Sequence, residues 1–224
     1  MKTIYCISGL GATARAFSKL HIEGYRLQVI EWLQPLTNES IEAYAARMSA
    51  QIKEERPVLM GLSFGGMMSI EIARQVPVEK VILISSIKSK YELPWWMRTV
   101  AKLKLHKLTP LKTNSRITRP VQNFFLGTVT AEDREVAVQF RCDADVRYVK
   151  WAIDKVLNWQ NTWQPSTLVH IHGNADKMFP HKKLQVTHLI ENGGHFMIMN
   201  KAGEVSAAIR QSLQPVPGFQ PSKG

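Results

Sequence analysis

The sequence predicts an α/β fold: about six mostly parallel strands with helices on both faces and a helical insertion. Three observations predict it. Short, continuously apolar runs such as residues 58–62 and 81–84 read as strands covered on both faces, the burial that parallel sheets impose. These runs alternate with helical patterns, and that alternation winds into a parallel sheet. The rhythm breaks over residues 88–165, where the pattern is helical, and resumes at Thr167. The expected organisation is therefore a core of residues 1–87 and 166–213. Residues 88–165 form a helical lid laid over one edge of the sheet. A tail of residues 214–224, with Pro215, Pro217, Gly218 and Pro221, is expected to be disordered.

Taken in order, residues 2–8 are β-rich and end at Gly9-Leu10-Gly11, giving a first strand followed by a loop. Residues 25–32 are a second strand, closed by Pro35. Residues 39–55 read as a helix, because Ile41, Tyr44, Ala45, Met48 and Ile52 recur at three- and four-residue spacings, with Thr37 or Asn38 as cap. Residues 58–62 are the third strand and residues 64–75 a buried helix, with Pro77 beyond it. Residues 81–84, 167–172 and 186–190 complete the strands, and a last helix spans residues 202–213. Ligands of such sheets bind beyond the carboxyl ends of the strands. Ser8, Ser63, Ser85 and His172 all fall near such ends.

At 224 residues, with 45% apolar and 21% charged residues, the chain suits one soluble domain with a substantial core. No apolar run approaches the roughly 18 residues of a membrane span. The N-terminus reads as a strand, not a signal peptide. Cys6 and Cys142 are far apart and suit a reducing, cytoplasmic compartment better than a disulfide framework. The net charge of +11 is concentrated. Residues 88–120 hold nine Lys or Arg against one acid, Glu92, and so carry most of it. A local patch without a recognition motif argues against nucleic acid as a partner.

Chemistry concentrates at Gly61-Leu62-Ser63-Phe64-Gly65-Gly66, where an apolar strand meets a helix. A serine between glycines at that turn is presented as a nucleophile, because the glycines let the chain bend and a substrate approach. A serine hydroxyl needs a base, and the base needs a carboxylate to fix its tautomer. Asp176 follows a strand in His172-Gly173-Asn174-Ala175-Asp176, and His195 follows Gly193-Gly194 after the last strand. Asp143, Asp145 and Asp154 are rival carboxylates, but they sit in the helical insertion. The order Ser63, Asp176, His195 is that of the nucleophile-elbow hydrolases.

With Ser8-Gly9-Leu10-Gly11, these motifs make nearly the whole chain resemble the α/β-hydrolase superfamily. The resemblance implies a trimmed α/β-hydrolase fold, since the chain starts on the strand that precedes the oxyanion loop. It also implies Ser63 as nucleophile, His195 as general base and acid, and Asp176 as orienting carboxylate. The backbone N–H groups of Leu10 and Phe64 would form the oxyanion hole. Ser8-Gly9 stands where many members have His-Gly. The serine argues against epoxide hydrolase or dehalogenase chemistry, which uses an aspartate at the elbow.

The implied function is a serine hydrolase of a small-molecule ester or thioester, with no cofactor. Alternatives are a triad-dependent lyase or synthase, like hydroxynitrile lyases or a menaquinone-pathway synthase, and a ligand-binding protein that retains the triad. His170 and His172 share one face of a strand, yet no third ligand suggests a metal site. Residues 94–108 read as one amphipathic basic helix with Trp95 and Trp96 at its start. Such a helix is a solvated lid, a docking patch for an anionic substrate or acidic carrier protein, or a surface for an anionic membrane. Trp151, Trp159 and Trp163 line an acyl pocket or simply pack the lid.

Overall fold

In the computed structural model, which describes residues 1–108 and 118–214, six strands form one sheet and every pairing is parallel. The strands are β1 (Lys2–Ile7), β2 (Tyr25–Val29), β3 (Val58–Leu62), β4 (Lys80–Ile84), β5 (Leu168–Gly173) and β6 (His188–Ile190). Their spatial order is β2-β1-β3-β4-β5-β6. The chain leaves β1 toward one edge and returns to the other side of β1 at β3. That reversal opens a crevice at the carboxyl ends of β1 and β3, where ligands of such sheets bind.

Alternate side chains of each strand serve opposite faces. Tyr5, Ile7, Leu59, Val81 and Leu83 pack with α1 (Ile41–Ser49) and α2 (Phe64–Ala73). Ile4, Cys6, Met60, Ile82, Ile84 and Ile171 pack on the other face with α9 (Ala202–Leu213) and the short α8 (Met197–Asn200). With both faces covered, the central strands have no polar side to show. That is why they read as unbroken apolar runs.

Local signals moved three boundaries. Ser40, and neither Thr37 nor Asn38, caps α1, its side chain accepting the Ala43 N–H, while Asn38 adopts a left-handed φ of 57°. The helix then ends at Ser49, well short of residue 55. The basic segment of residues 94–108 is two helices, α3 (Trp95–Lys102) and α4 (Leu105–Leu108). They are broken where Lys104 takes a φ of 52° and its N–H bonds to Ala101. β6 is three residues long because Thr187 has already turned to bond the His170 backbone.

The insertion continues as α5 (Arg119–Leu126), α6 (Ala131–Asp143) and α7 (Val146–Leu157). Its described helices pack at the carboxyl end of the sheet. Tyr148 and Trp151 of α7 pack on Trp32 and Phe64 at the crevice, and Phe140 of α6 approaches Phe196. The loop between α5 and α6 reaches the backbone of Gly194. The insertion therefore covers the carboxyl ends of the central strands. Trp159 is buried elsewhere, donating its indole N–H to Glu71 of α2 at 2.7 Å, so it packs the core and lines no acyl pocket. The tail beyond residue 214, Lys112 and Arg116 lie outside the described residues. Among those described, no helix is long and apolar enough to cross a membrane.

Candidate active site

Ser63 ends β3 and starts α2 with φ 52° and ψ −118°, a conformation that costs an L-residue of order 1–3 kcal/mol. The surroundings enforce it. A Cβ on Gly61 would run into the Gly65 backbone, and one on Gly65 into the carbonyl of Ile7. Only glycines let α2 start this close to β1 and β3. The Ser63 N–H donates to Ile84 O at 2.9 Å, and the Ser63 carbonyl accepts from the Ser86 hydroxyl at 2.6 Å. The Ser86 carbonyl in turn accepts from His170 Nε2 at 3.0 Å.

The structure brings three of the expected side chains into one line. The Ser63 hydroxyl lies 2.9 Å from His195 Nε2, and His195 Nδ1 lies 2.8 Å from Asp176 Oδ2. Asp176 is 4% exposed and His195 7%. The other Asp176 oxygen accepts the N–H groups of Met178 and Phe179 at 2.8 and 2.9 Å. Burial pushes the Asp176 carboxyl up. The His195 and His172 imidazoles and the Phe179 N–H outweigh burial and hold it below the usual carboxylate range. A carboxylate fixed in this way holds the Nδ1–H tautomer and leaves Nε2 as acceptor for the hydroxyl. Asp145, one of the rival acids, instead caps α7 through the Tyr148 N–H.

The two residues expected to supply oxyanion N–H groups neighbour Ser63, Phe64 in sequence and Leu10 through Gly9. Phe64 is the first residue of α2, so its N–H has no acceptor within the helix, and the positive end of the helix dipole lies there. Leu10 follows Gly9, whose α-carbon backs directly onto Ser63: an added Cβ would stand 3.4 Å from the serine Cβ. Ser8 ties this loop. Its hydroxyl donates to Ala12 O at 2.8 Å and accepts from the Trp32 indole at 2.9 Å. Trp32 stacks on Phe64 at 5.3 Å. Sequence patterns gave no sign of Ser86 and Trp32 as supports, since each reaches the site from a strand end remote in sequence.

His170 and His172 are core histidines. Their Nε2–H groups donate to the carbonyls of Ser86 and Phe179, and burial pushes both imidazoles down, that of His170 to about 3. Among the described residues, no group of three or more His, Cys, Asp or Glu could hold a metal ion.

No protein-family model matches the sequence, and no curated protein matches it. Solved structures do match. A thermophilic esterase from Thermogutta terrifontis superposes with a TM-score of 0.75 at 15% identity, covering 95% of this chain and 89% of that one. An esterase from Exiguobacterium antarcticum gives 0.71 at 15% identity, covering 94% and 91%. An epoxide hydrolase from Bacillus megaterium gives 0.66 at 13% identity, covering 95% and 93%. The chain has the α/β-hydrolase fold. Because that fold carries more than one reaction, the chemistry of this chain rests on its own site.

Proposed function

We propose that this protein is a serine hydrolase that cleaves a carboxylic ester or thioester through an acyl-enzyme on Ser63. The observation that carries the proposal is the continuous hydrogen-bonded line Ser63–His195–Asp176, with the serine held in a strained turn at the start of α2. His195 Nε2 takes the hydroxyl proton as Ser63 Oγ attacks the carbonyl carbon. The resulting imidazolium is stabilised by Asp176. The Leu10 and Phe64 N–H groups hold the oxyanion, an arrangement in which one donor is worth on the order of 10²–10³ in kcat. Collapse of the tetrahedral intermediate breaks the bond to the leaving oxygen or sulfur, which takes the proton from His195. Water, deprotonated by His195, then releases the acid and restores Ser63.

The fold neighbours described as esterases support this reading, as does the serine at the elbow. The test is a panel of aryl esters and thioesters of graded chain length. The wild type is expected to turn some of them over. Ser63→Ala is expected to lose roughly 10⁴-fold or more in kcat while keeping its melting temperature within a few degrees. Wild-type turnover in Ser63→Ala refutes the proposal. A triad-dependent lyase or a binding protein would leave the whole panel uncleaved.

A further inference from the structure

Helix α5, the start of α6 and the loop after Asp176 enclose an open cavity of about 510 Å³. Three cations line it, Arg119, Arg134 and Lys177, and among the described residues no carboxylate does. Asn123 and Thr128 add neutral polar groups. The cavity adjoins the catalytic histidine's loop. Its wall residue Gly127 sits so close that an added Cβ would be 3.2 Å from the Gly194 α-carbon and 3.6 Å from the His195 backbone nitrogen. Next to it, the Leu126 carbonyl accepts the Phe196 N–H at 2.8 Å. Lys177 directly follows Asp176, and its ammonium rests 3.7 Å from the Phe124 ring centroid, a cation–π contact that holds it over the opening.

The positive charge of Arg134 and Lys177 is not neutralised among the described residues. Among the described residues neither Arg134 nor Lys177 is in an ion pair; Arg134 donates only to the Val129 carbonyl, at 3.3 Å. Behind the wall, Arg141 reaches Asn123 Oδ1 at 3.4 Å, while its Nε and Nη1 are buried without a partner. Burial, and then the charge of Arg119, pull the Arg141 guanidinium below its usual range. The nearby acids face other partners. Asp133 accepts from the Val129 and Thr130 N–H groups and Asn200, Glu132 pairs with Lys19, and Asp176 serves His195. Arg134 and Lys177, beside a polar cavity with no carboxylate in its described lining, make a site of positive potential.

We propose that this cavity binds an anionic group, a carboxylate or a phosphate, carried by the leaving-group half of the ester or thioester. The inference rests on the function proposed above. His195 hands its proton to the leaving oxygen or sulfur, so the leaving group lies on the His195 side of the acyl carbon. The cavity beside the His195 loop is where the rest of that group extends. Planar guanidinium forks suit either anion, and Lys177 adds a point charge at the entrance. The anion itself takes no part in bond making or breaking.

Two readouts test this. In Ser63→Ala protein, calorimetric titration compares 4-hydroxybenzoate, 4-hydroxyphenyl phosphate and the neutral 4-hydroxybenzamide. At least one anion is expected to bind about tenfold more tightly than the amide, as for a charge-assisted contact, and the better of the two names the group. That preference should largely vanish in the added double variant Arg134→Gln, Lys177→Gln, both exposed positions. In the active enzyme, the kcat/KM ratio of 4-acetoxybenzoate, or of 4-acetoxyphenyl phosphate, to 4-acetoxybenzamide should fall about tenfold in the same double variant. Equal binding of all three probes, or a ratio the double variant does not move, overturns the cavity assignment and leaves the hydrolase reading standing. Anion-selective binding without cleavage of any ester overturns the hydrolase reading, and with it the leaving-group assignment.

Discussion

The two sides of this crevice are built on opposite principles. On the elbow side the groups of the serine line and its loop are matched: Ser63 to Ile84, Ser86 and His195, Ser8 to Ala12 and Trp32, Asp176 to two N–H groups and a histidine. There, glycines replace side chains wherever two backbones meet. On the α5–α6 side, arginines and a lysine stand around a cavity with no carboxylate among its described lining residues, and one guanidinium keeps two buried nitrogens unpartnered. Matched groups hold a geometry, whereas unmatched charge waits for something to arrive. The contrast separates the groups proposed to perform the chemistry from those proposed to select the substrate.

Substitutions should expose this difference, first on the elbow side. Gly65→Ala would drive a methyl group into the Ile7 carbonyl, with Ser8 O behind it. Since neither is a flexible side chain, we expect a loss of about 3 kcal/mol or more in urea unfolding, the upper end of overpacking costs. A loss below about 1 kcal/mol would mean that the elbow relaxes and is not the rigid half of the comparison.

A smaller effect concerns charge. His170, 1% exposed, supports the elbow through Ser86, and burial first, then His172 and Lys88, hold its imidazole down at about 3. Its folded-state value lies below its unfolded one, so the stability it confers is complete above about pH 6.5. It is lost as pH falls from there toward about 3, because only the unfolded chain takes up the proton over that window. At about pH 5 the loss attributable to this group is about 2 kcal/mol. Urea midpoints measured across that range should slope accordingly, and His170→Gln should flatten the slope.

The smallest effect has the opposite sign. Replacing Arg141 by Met removes a buried, incompletely paired guanidinium, and the folded state should be unchanged or gain about 1 kcal/mol. A loss of about 2 kcal/mol or more would show that Arg141 is matched after all and that the cationic side is structural.

The elbow side was legible in the sequence for a physical reason. Backbone approach demands glycine at Gly61 and Gly65, apolar runs mark strands covered on both faces, and both signals are local. The supports of that same side were not legible. Ser86 and Trp32 act across strand ends distant in the chain, and Ser8 works through its bond to Trp32, remote in sequence. The cationic side was legible only as composition. The basic run of residues 88–120 includes Lys102 and Lys104, which lie on solvent. Among the described residues, the cavity takes Arg119 and Pro120 from that run and draws Arg134 and Lys177 from beyond it. The helix break at Lys104 was likewise hidden, because residues 94–108 keep an apolar periodicity through a turn that changes their direction.

The most direct test of the central claim is to catch the acyl group on Ser63. Wild-type protein mixed with an excess of a cleaved aryl ester, quenched in acid within the first turnovers and digested, should yield the peptide containing Ser63 with the mass of one added acyl group. Ser63→Ala protein should yield none. Turnover with no adduct at Ser63, or an adduct that persists when Ser63 is replaced, would contradict the account.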